Sequence, residues 1–470
     1  MALVPSNRSE YRARPKRLRQ NNTRPSAPLA IGPLAGRHDK LPFRAGGKRV
    51  DTDYLQTVTS TDVPDGRTSS RALGSASDLL REPPSFSLTL GGPLFQLLRR
   101  AHLCDDALEL VKRRVVVISL FAWFPLLLLS ALDGHLLGNG VRVPFLPDLE
   151  THIRFLVIVP MLLVAELVVH QRLLPVGRSF LDRKLIPDGA MPRFEDALRS
   201  ALRLRNSVFA EVLLLAFVYA VGVLIVWRRF TILPASTWYA TSHAPVVVLS
   251  SAGIWYRYVS LPIFQFLLIR WYFRLFIWTR FLWQVSRIEL NLVPTHPDLL
   301  GGLGFLAETV YAFTLLLVAH GTLISAQVAD RIFFVGSPLG EFKTEVAVVV
   351  VFLLSVIFGP LFFFAPQLAW TKRNGLREYG TFAEGYVRDF DDKWLRRADR
   401  GNEPLLGSSD IQSLADLANS FDVIRHMRLI PITRDALVRL TLAILVPVLP
   451  LLLTVMPLEA LLQKLLGLVF

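Results

Sequence analysis

The chain has 470 residues, 52% of them hydrophobic, with a mean hydropathy of +0.41 and a net charge of +14. The apolar residues fall in runs of roughly twenty, the length a helix needs to cross a ~30 Å hydrocarbon core, which excludes an ordinary soluble domain. A transmembrane barrel would show short alternating segments instead, and a single cysteine, Cys104, excludes an intrachain disulfide and any metal site built on several thiolates.

Residues 1–86 hold 15 Lys and Arg against 8 Asp and Glu and are rich in Pro, Ser and Gly. With no sustained apolar period they read as a disordered basic tail. A basic tail on an apolar chain is expected to meet the anionic leaflet or solvent rather than nucleic acid. It holds no signal-peptide core. No methionine lies between Met1 and Met161, which leaves a downstream start at a non-Met codon open.

Residues 87–112 pattern as an amphipathic surface helix, with Leu94, Leu97, Leu98, Leu108 and Leu110 against Arg99, Arg100, Asp105 and Asp106. Lys112-Arg113-Arg114 opens the first span, 115–134. Further spans are expected over 153–174, 207–227, 258–282, 303–327, 345–369 and 437–456. Val246–Trp255 is too short to cross and reads as an interfacial or re-entrant piece. The fold class is therefore all-α: a polytopic transmembrane bundle of about seven spans. Lys and Arg concentrate in the tail, 172–206, 280–302 and 370–436, so these are expected in the cytoplasm, N-terminus included. Arg228-Arg229 falls on the opposite side and is the weak point of that topology.

The segment 371–436 carries 11 Lys and Arg and 11 Asp and Glu. Tyr379, Phe382, Tyr386, Phe390 and Trp394 recur at helical spacing, and Ile411, Leu414, Leu417, Phe421 and Ile424 form a second stripe after the capping-box pattern Ser409-Asp410-Ile411-Gln412. Two such helices predict a cytoplasmic helical hairpin, which could also bind a protein partner.

Ionisable groups inside spans are the candidate functional residues. Arg270 and Arg274 are four apart on one apolar helix and need buried partners. Glu166, Glu211 and Glu308 are the available carboxylates, and His320 is a further intramembrane polar group. Together they predict a polar intramembrane pocket, suited to a small ion or an anionic ligand. The plainer alternative is an ion-pair network that fixes helix register. The pattern disfavours a voltage sensor, because Leu267 and Phe273 stand where Arg would repeat.

Thr295-His296-Pro297-Asp298 and Gly301-Gly302-Leu303-Gly304 precede the fifth span. Thr295 or Asp298 can cap the helix there, and Gly301, Gly302 and Gly304 allow a tight turn. Thr295, His296, Asp298 and the three glycines also form a candidate anion or headgroup site. The Gly-Lys-Ser/Thr ending of a phosphate loop is missing. Neither His296 with Asp298 nor Glu166 with His170 has a third ligand at metal spacing, and no Gly-x-Ser-x-Gly occurs. No metal, cofactor or catalytic residue is expected.

Leu292-Val293-Pro294-Thr295-His296-Pro297-Asp298 with Gly301-Gly302-Leu303-Gly304-Phe305, then Ser409-Asp410-Ile411-Gln412-Ser413-Leu414-Ala415-Asp416-Leu417 and Met427-Arg428-Leu429-Ile430-Pro431, resemble a group of bacterial integral membrane proteins of unknown function. The likeness covers roughly 90–460. It implies a bacterial cytoplasmic (inner) membrane and nothing about a substrate. Three readings follow: a transport-type or channel-like protein, a non-transporting scaffold that uses 371–436, and an intramembrane enzyme using His296 or Asp298.

Overall fold

The computed structural model describes residues 109–138, 140–223, 236–243, 246–396, 404 and 407–454. The chain divides into two units, Met1–Ser70 and Arg71–Phe470, and every described residue belongs to the second. The expected tail, the surface helix up to residue 108 and Arg228-Arg229 lie outside the described residues.

Six helices are long and apolar enough to cross a membrane, and a bent pair makes a seventh. The six are α1 (Val111–Leu132), α2 (Leu149–Asp182), α5 (Ser251–Val285), α6 (Gly304–Val335), α7 (Leu339–Arg396) and α9 (Arg434–Thr454). The bent pair is α3 (Asp188–Arg205) and α4 (Val208–Val223), which meet at 50°. The break falls where Ser207 accepts from the amide of Ala210 and caps α4. Asp148 caps α2 through Thr151 N, and Thr433 caps α9 through Ala436 N. A buried helix end must place its orphan amides somewhere, and here a short side chain takes one each time.

Val246–Trp255 differs from the expected interfacial piece. Val246–Leu249 is strand β2, paired antiparallel with β1 (Ala240–His243) in the register Ala240↔Leu249 to His243↔Val246. Ser251–Trp255 belongs to α5, because Ser250 ends the strand and caps the helix through Gly253 N. A Cβ at Gly253 would lie 1.9 Å from Tyr239 O, so only glycine lets the helix start pack on the hairpin backbone.

α2, α5 and α7 exceed their expected bounds at both ends, most of all α7 with 58 residues. At 1.5 Å per residue a helix of that size reaches on the order of 85 Å, so much of α7 projects beyond any bilayer. Its projecting part packs against α8 (Ser409–Arg425) as a helical hairpin. Within the hairpin, Asp410 accepts from Trp394 Nε1 and Lys393 Nζ, and Tyr386 Oη donates to Asp410 O. Ser408, one residue before the expected capping box, is the cap. Of the aromatic stripe, Trp394 is buried while Phe382 stays exposed.

The core holds the fully buried rings of Trp238, Trp271, Trp278, Phe155, Phe180, Phe281, Phe313 and Phe364. Conversely Leu120, Phe124 and Leu128 of α1, and Val212, Leu213 and Phe217 of α4, point outward. Outward leucine and phenylalanine suit helices bathed in lipid, whose tails are as apolar as these side chains.

Described loops gather at two ends of the bundle. At one end, the 133–148 loop joins the β-hairpin: Val143 N donates to Ser236 O, and Trp238 Nε1 to Asp148 at 2.7 Å. At the other, the 286–303 loop meets α7 and α8. Gln367 Nε2 donates to Ser286 O and Ile288 O, and Arg428 N to Leu299 O. Met427 also packs beside Gly301 at this second end, while Asp410 of α8 bonds the far part of α7.

Candidate functional site

Arg270 and Arg274 lie on α5, one turn apart, and both are buried. The i and i+4 spacing aims them at one neighbour, α2, where Glu166 is buried in an otherwise apolar stretch. Glu166 Oε1 receives Arg270 Nη1 at 3.1 Å and Arg274 Nη1 at 2.8 Å. Its other oxygen receives Arg114 Nη2, from the first turn of α1. Glu211 of α4 approaches Arg270 Nη2 at 3.5 Å. Three guanidinium groups and two carboxylates thus converge from four helices.

Burying such ions costs several kcal/mol each, so they persist only with partners of good geometry. The four-helix convergence satisfies that condition. It also fixes the rotation of α2, α4 and α5 about their axes, since slipping any of them by one residue would remove a charge from the cluster. Arg274 further lies 5.0 Å above the Trp271 ring. The space beside the cluster, lined by Arg205, Glu211, Arg270, Phe273, Arg274 and Ile277, is only about 10 Å³. That admits at most one water.

Two expected members of the polar pocket lie elsewhere. His320 hydrogen-bonds Tyr272 Oη at 2.8 Å and Leu316 O at 2.7 Å. Tyr272 is two residues from both arginines and so points to the far side of α5. Glu308 lies at the opening of α6, in a cleft with Asp298 and Gly304.

The 295–304 loop is organised by Asp298. Its carboxylate accepts from Leu300 N at 2.8 Å, Gly302 N at 3.2 Å and Gly304 N at 2.8 Å. Gly301 and Gly302 have φ of +63° and +99°, the left-handed region that glycine adopts without strain. His296 Nδ1 is 2.9 Å from Asp298 Oδ1, and Thr295 stays at the half-buried rim. The amides that would attract an anion are therefore held by the protein's own carboxylate.

Burial works to raise the Asp298 pKa, but the amides of Leu300, Gly304 and Gly302 outweigh it and hold the carboxyl below the usual aspartate value. A depressed folded pKa gives stability that is full above the unfolded pKa of about 3.9 and lost as pH falls through the folded value. Asp298→Asn is expected to lose about 1.5–3 kcal/mol near neutral pH, the range for hydrogen bonds to charged groups. Thermal unfolding at pH 7 and at pH 3 checks this: the gap between variant and wild type should shrink on acidification.

A second polar cluster, not foreseen from the sequence, lies at the β-hairpin end. Arg154 of α2 is buried and pairs with Glu150 and with Tyr256 Oη. Asp148 accepts from Thr151 and Trp238, and Asp330 of α6 accepts from Glu150 N at 3.2 Å. The signal was present: Glu150 and Arg154 stand four apart where an apolar run begins. Below this cluster lies a cavity of about 280 Å³ between α2, α4, α5 and α6, lined by Glu150, Arg154, Gly222, Gln265, Ile269 and Gln327 among others. Gln265 Oε1 is buried with no protein partner among the described residues. Its side chain fills the space a Cβ would take at Gly222, 2.1 Å from the ideal position.

No family model matches the chain, and no curated protein or solved structure matches it either.

Proposed function

We propose that this multi-pass protein passes a small ion or polar solute along the seam between α4 and α5, in a bacterial cytoplasmic membrane with the N-terminus inside. The observation that carries the reading is the stacking of two features on one seam. The 280 Å³ cavity is charged at its mouth by Glu150 and Arg154 and reaches Ile269. At the next residue, Arg270 bridges to Glu211 and closes the way. Glu150 and Arg154 supply both signs of charge, so the cavity suits a small polar or zwitterionic solute or a hydrated ion. Glu166 holds Arg270 and Arg274 from α2, so within the cluster the Arg270–Glu211 contact is the one that parts when α4 moves. At 3.5 Å it is looser than the Arg270–Glu166 and Arg274–Glu166 contacts. α4 suits that role, with no fully buried side chain between Val208 and Phe217.

The test uses single cysteines in a Cys104→Ser background and a membrane-impermeant thiol reagent. Cysteines replacing Leu268 and Ile269, which line the cavity, should be labelled, and one replacing outward-facing Phe276 should not. Adding Glu211→Gln should extend labelling to a cysteine at position 277. No labelling at 268 and 269 in folded protein would mean a dry seam, and the permeation reading would be lost.

A further inference from the structure

The start of α2 holds a conflict of charge that the ion cluster does not involve. Two carboxyl groups are placed against it, those of Asp148 and Asp330. Asp148 accepts from Thr151 N at 2.9 Å, Thr151 Oγ1 at 2.8 Å and Trp238 Nε1 at 2.7 Å. Asp330 comes in from the far end of α6, and its Oδ2 accepts from Glu150 N at 3.2 Å. One helix N-terminus carries only about half a unit of positive charge, which suits one anion and not two.

The two groups are served unequally. Three donors, spread over both oxygens, suit Asp148 as the anion. Asp330 is 3% exposed and has one amide, while its Oδ1 is buried with no donor among the described residues. Nor does any cation among them pair with it. Arg154 of α2 is held by Glu150 and by Tyr256 Oη of α5. Arg331, the next residue of the chain, turns to Glu345 of α7. The groups that face Asp330 from α2 are Asp148 and Glu150, both carboxyls, and the Asp148 side chain is within hydrogen-bonding reach. The adjoining Val328 and Ala329 meet only apolar side chains, Phe342 of α7 and Leu451 and Val448 of α9. A buried carboxylate flanked by two others is disfavoured both by burial and by like charge. As the acid, Asp330 turns Oδ1 into a donor, and the Asp148 carboxylate, with about four acceptor sites, has one to receive it.

We propose that Asp330 and Asp148 form a proton-binding pair, in which a single proton on Asp330 Oδ1 is donated in a hydrogen bond to the Asp148 carboxylate. The proton fastens α6 to the start of α2. Its loss to water as hydronium leaves the Asp330 carboxylate facing those of Asp148 and Glu150 across the α2–α6 contact. Glu150, Arg154 and Gln327, the last one turn before Asp330, line the 280 Å³ cavity, which gives the pair its route to water. The site holds its proton whether or not a solute passes through that cavity.

The full chain in detergent is followed by infrared spectroscopy and by thermal unfolding. Wild type at pH 7 is expected to show the carbonyl band of a protonated carboxyl, shifted in heavy water and lost in Asp330→Asn. An unfolded aspartate releases its proton near about pH 3.9, so above that pH the native chain holds one proton more than the unfolded chain. Its stability therefore falls as pH rises. Asparagine is nearly isosteric with the acid and binds no proton, so Asp330→Asn should unfold at a higher temperature than wild type at pH 7. The gap should widen from pH 5 to pH 7, by about ten-fold in the folding constant per pH unit. An ionised Asp330 that simply caps Glu150 N predicts the opposite, no band and a variant less stable than wild type. Either of those results overturns the proposal, as does a band that persists in the variant or a variant that fails to fold. It is also overturned if sodium chloride, compared with choline chloride at equal ionic strength, raises the midpoint of wild type and not of Asp330→Asn, which would identify a sodium site.

Discussion

Glu166→Ala is expected to cost about 3–5 kcal/mol, the range for breaking a buried ion pair from one side. The reason is the count of charges around it. Glu166 holds Arg114, Arg270 and Arg274 at once, so its loss leaves three guanidinium groups facing one another, with Glu211 as the other carboxylate of the cluster among the described residues. Each buried guanidinium carries its own cost at membrane depth, about 2.5–3.5 kcal/mol on insertion scales. Arg114→Ala should cost less, since Glu166 keeps two partners. Replacing Glu166, Arg270 and Arg274 together with methionine should recover part of the loss, because no buried charge of that trio then remains to be compensated. The measurement is the thermal midpoint and the yield of folded protein in detergent. A Glu166→Gln variant as stable as wild type would remove the cluster from its place as the organiser of α2 and α5.

Four of the five members of the cluster were legible from the sequence, and the missing one has a physical cause. Arg270, Arg274, Glu166 and Glu211 stand out because a charge inside an apolar run demands a partner. Arg114 was hidden, since basic residues at the opening of a span ordinarily face the aqueous boundary. What draws it inward is three-dimensional: the first turn of α1 lies level with Glu166, about 25 Å along α2 from its start at Leu149. Glu308 illustrates the reverse error. It has the same chemistry as Glu166 but lies near the start of its helix, where it lines an open cleft, whereas Glu166 lies near the middle of α2. The hairpin over 240–249 was illegible for a related reason. Its strands are four residues each, too short for an alternating pattern to separate from an apolar run. The Arg154 cluster joins residues of α2, α5 and α6 that lie up to 180 positions apart. Spacing along the chain cannot report such a meeting.

Gly321→Val is expected to displace the last span. Gly321 lies in the middle of α6, facing α9, and a Cβ built there would stand 2.1 Å from Ile444 O and 2.9 Å from its carbonyl carbon. These are backbone atoms of a helix and cannot rotate away. To reach the ~3.3 Å of an ordinary C···O contact, the two helices must part by roughly 1 Å, which opens the packing around Ala319 and Leu440 as well. Membrane helices have no hydrophobic force to hold them together once that close fit is lost, because lipid receives their apolar faces equally well. Overpacking of this kind costs about 1–3 kcal/mol where side chains can adjust. Here the obstruction is main chain, so the upper end is expected. Gly359→Val supplies the control: nothing lies within 4 Å of its Cβ position. Thermal unfolding should separate the two variants clearly, with Gly359→Val close to wild type. Equal midpoints would mean that α9 is held by something other than its approach to α6. The remaining candidates are the bonds at its start, where Thr433 caps the helix and Tyr311 Oη donates to Asp435 at 3.1 Å.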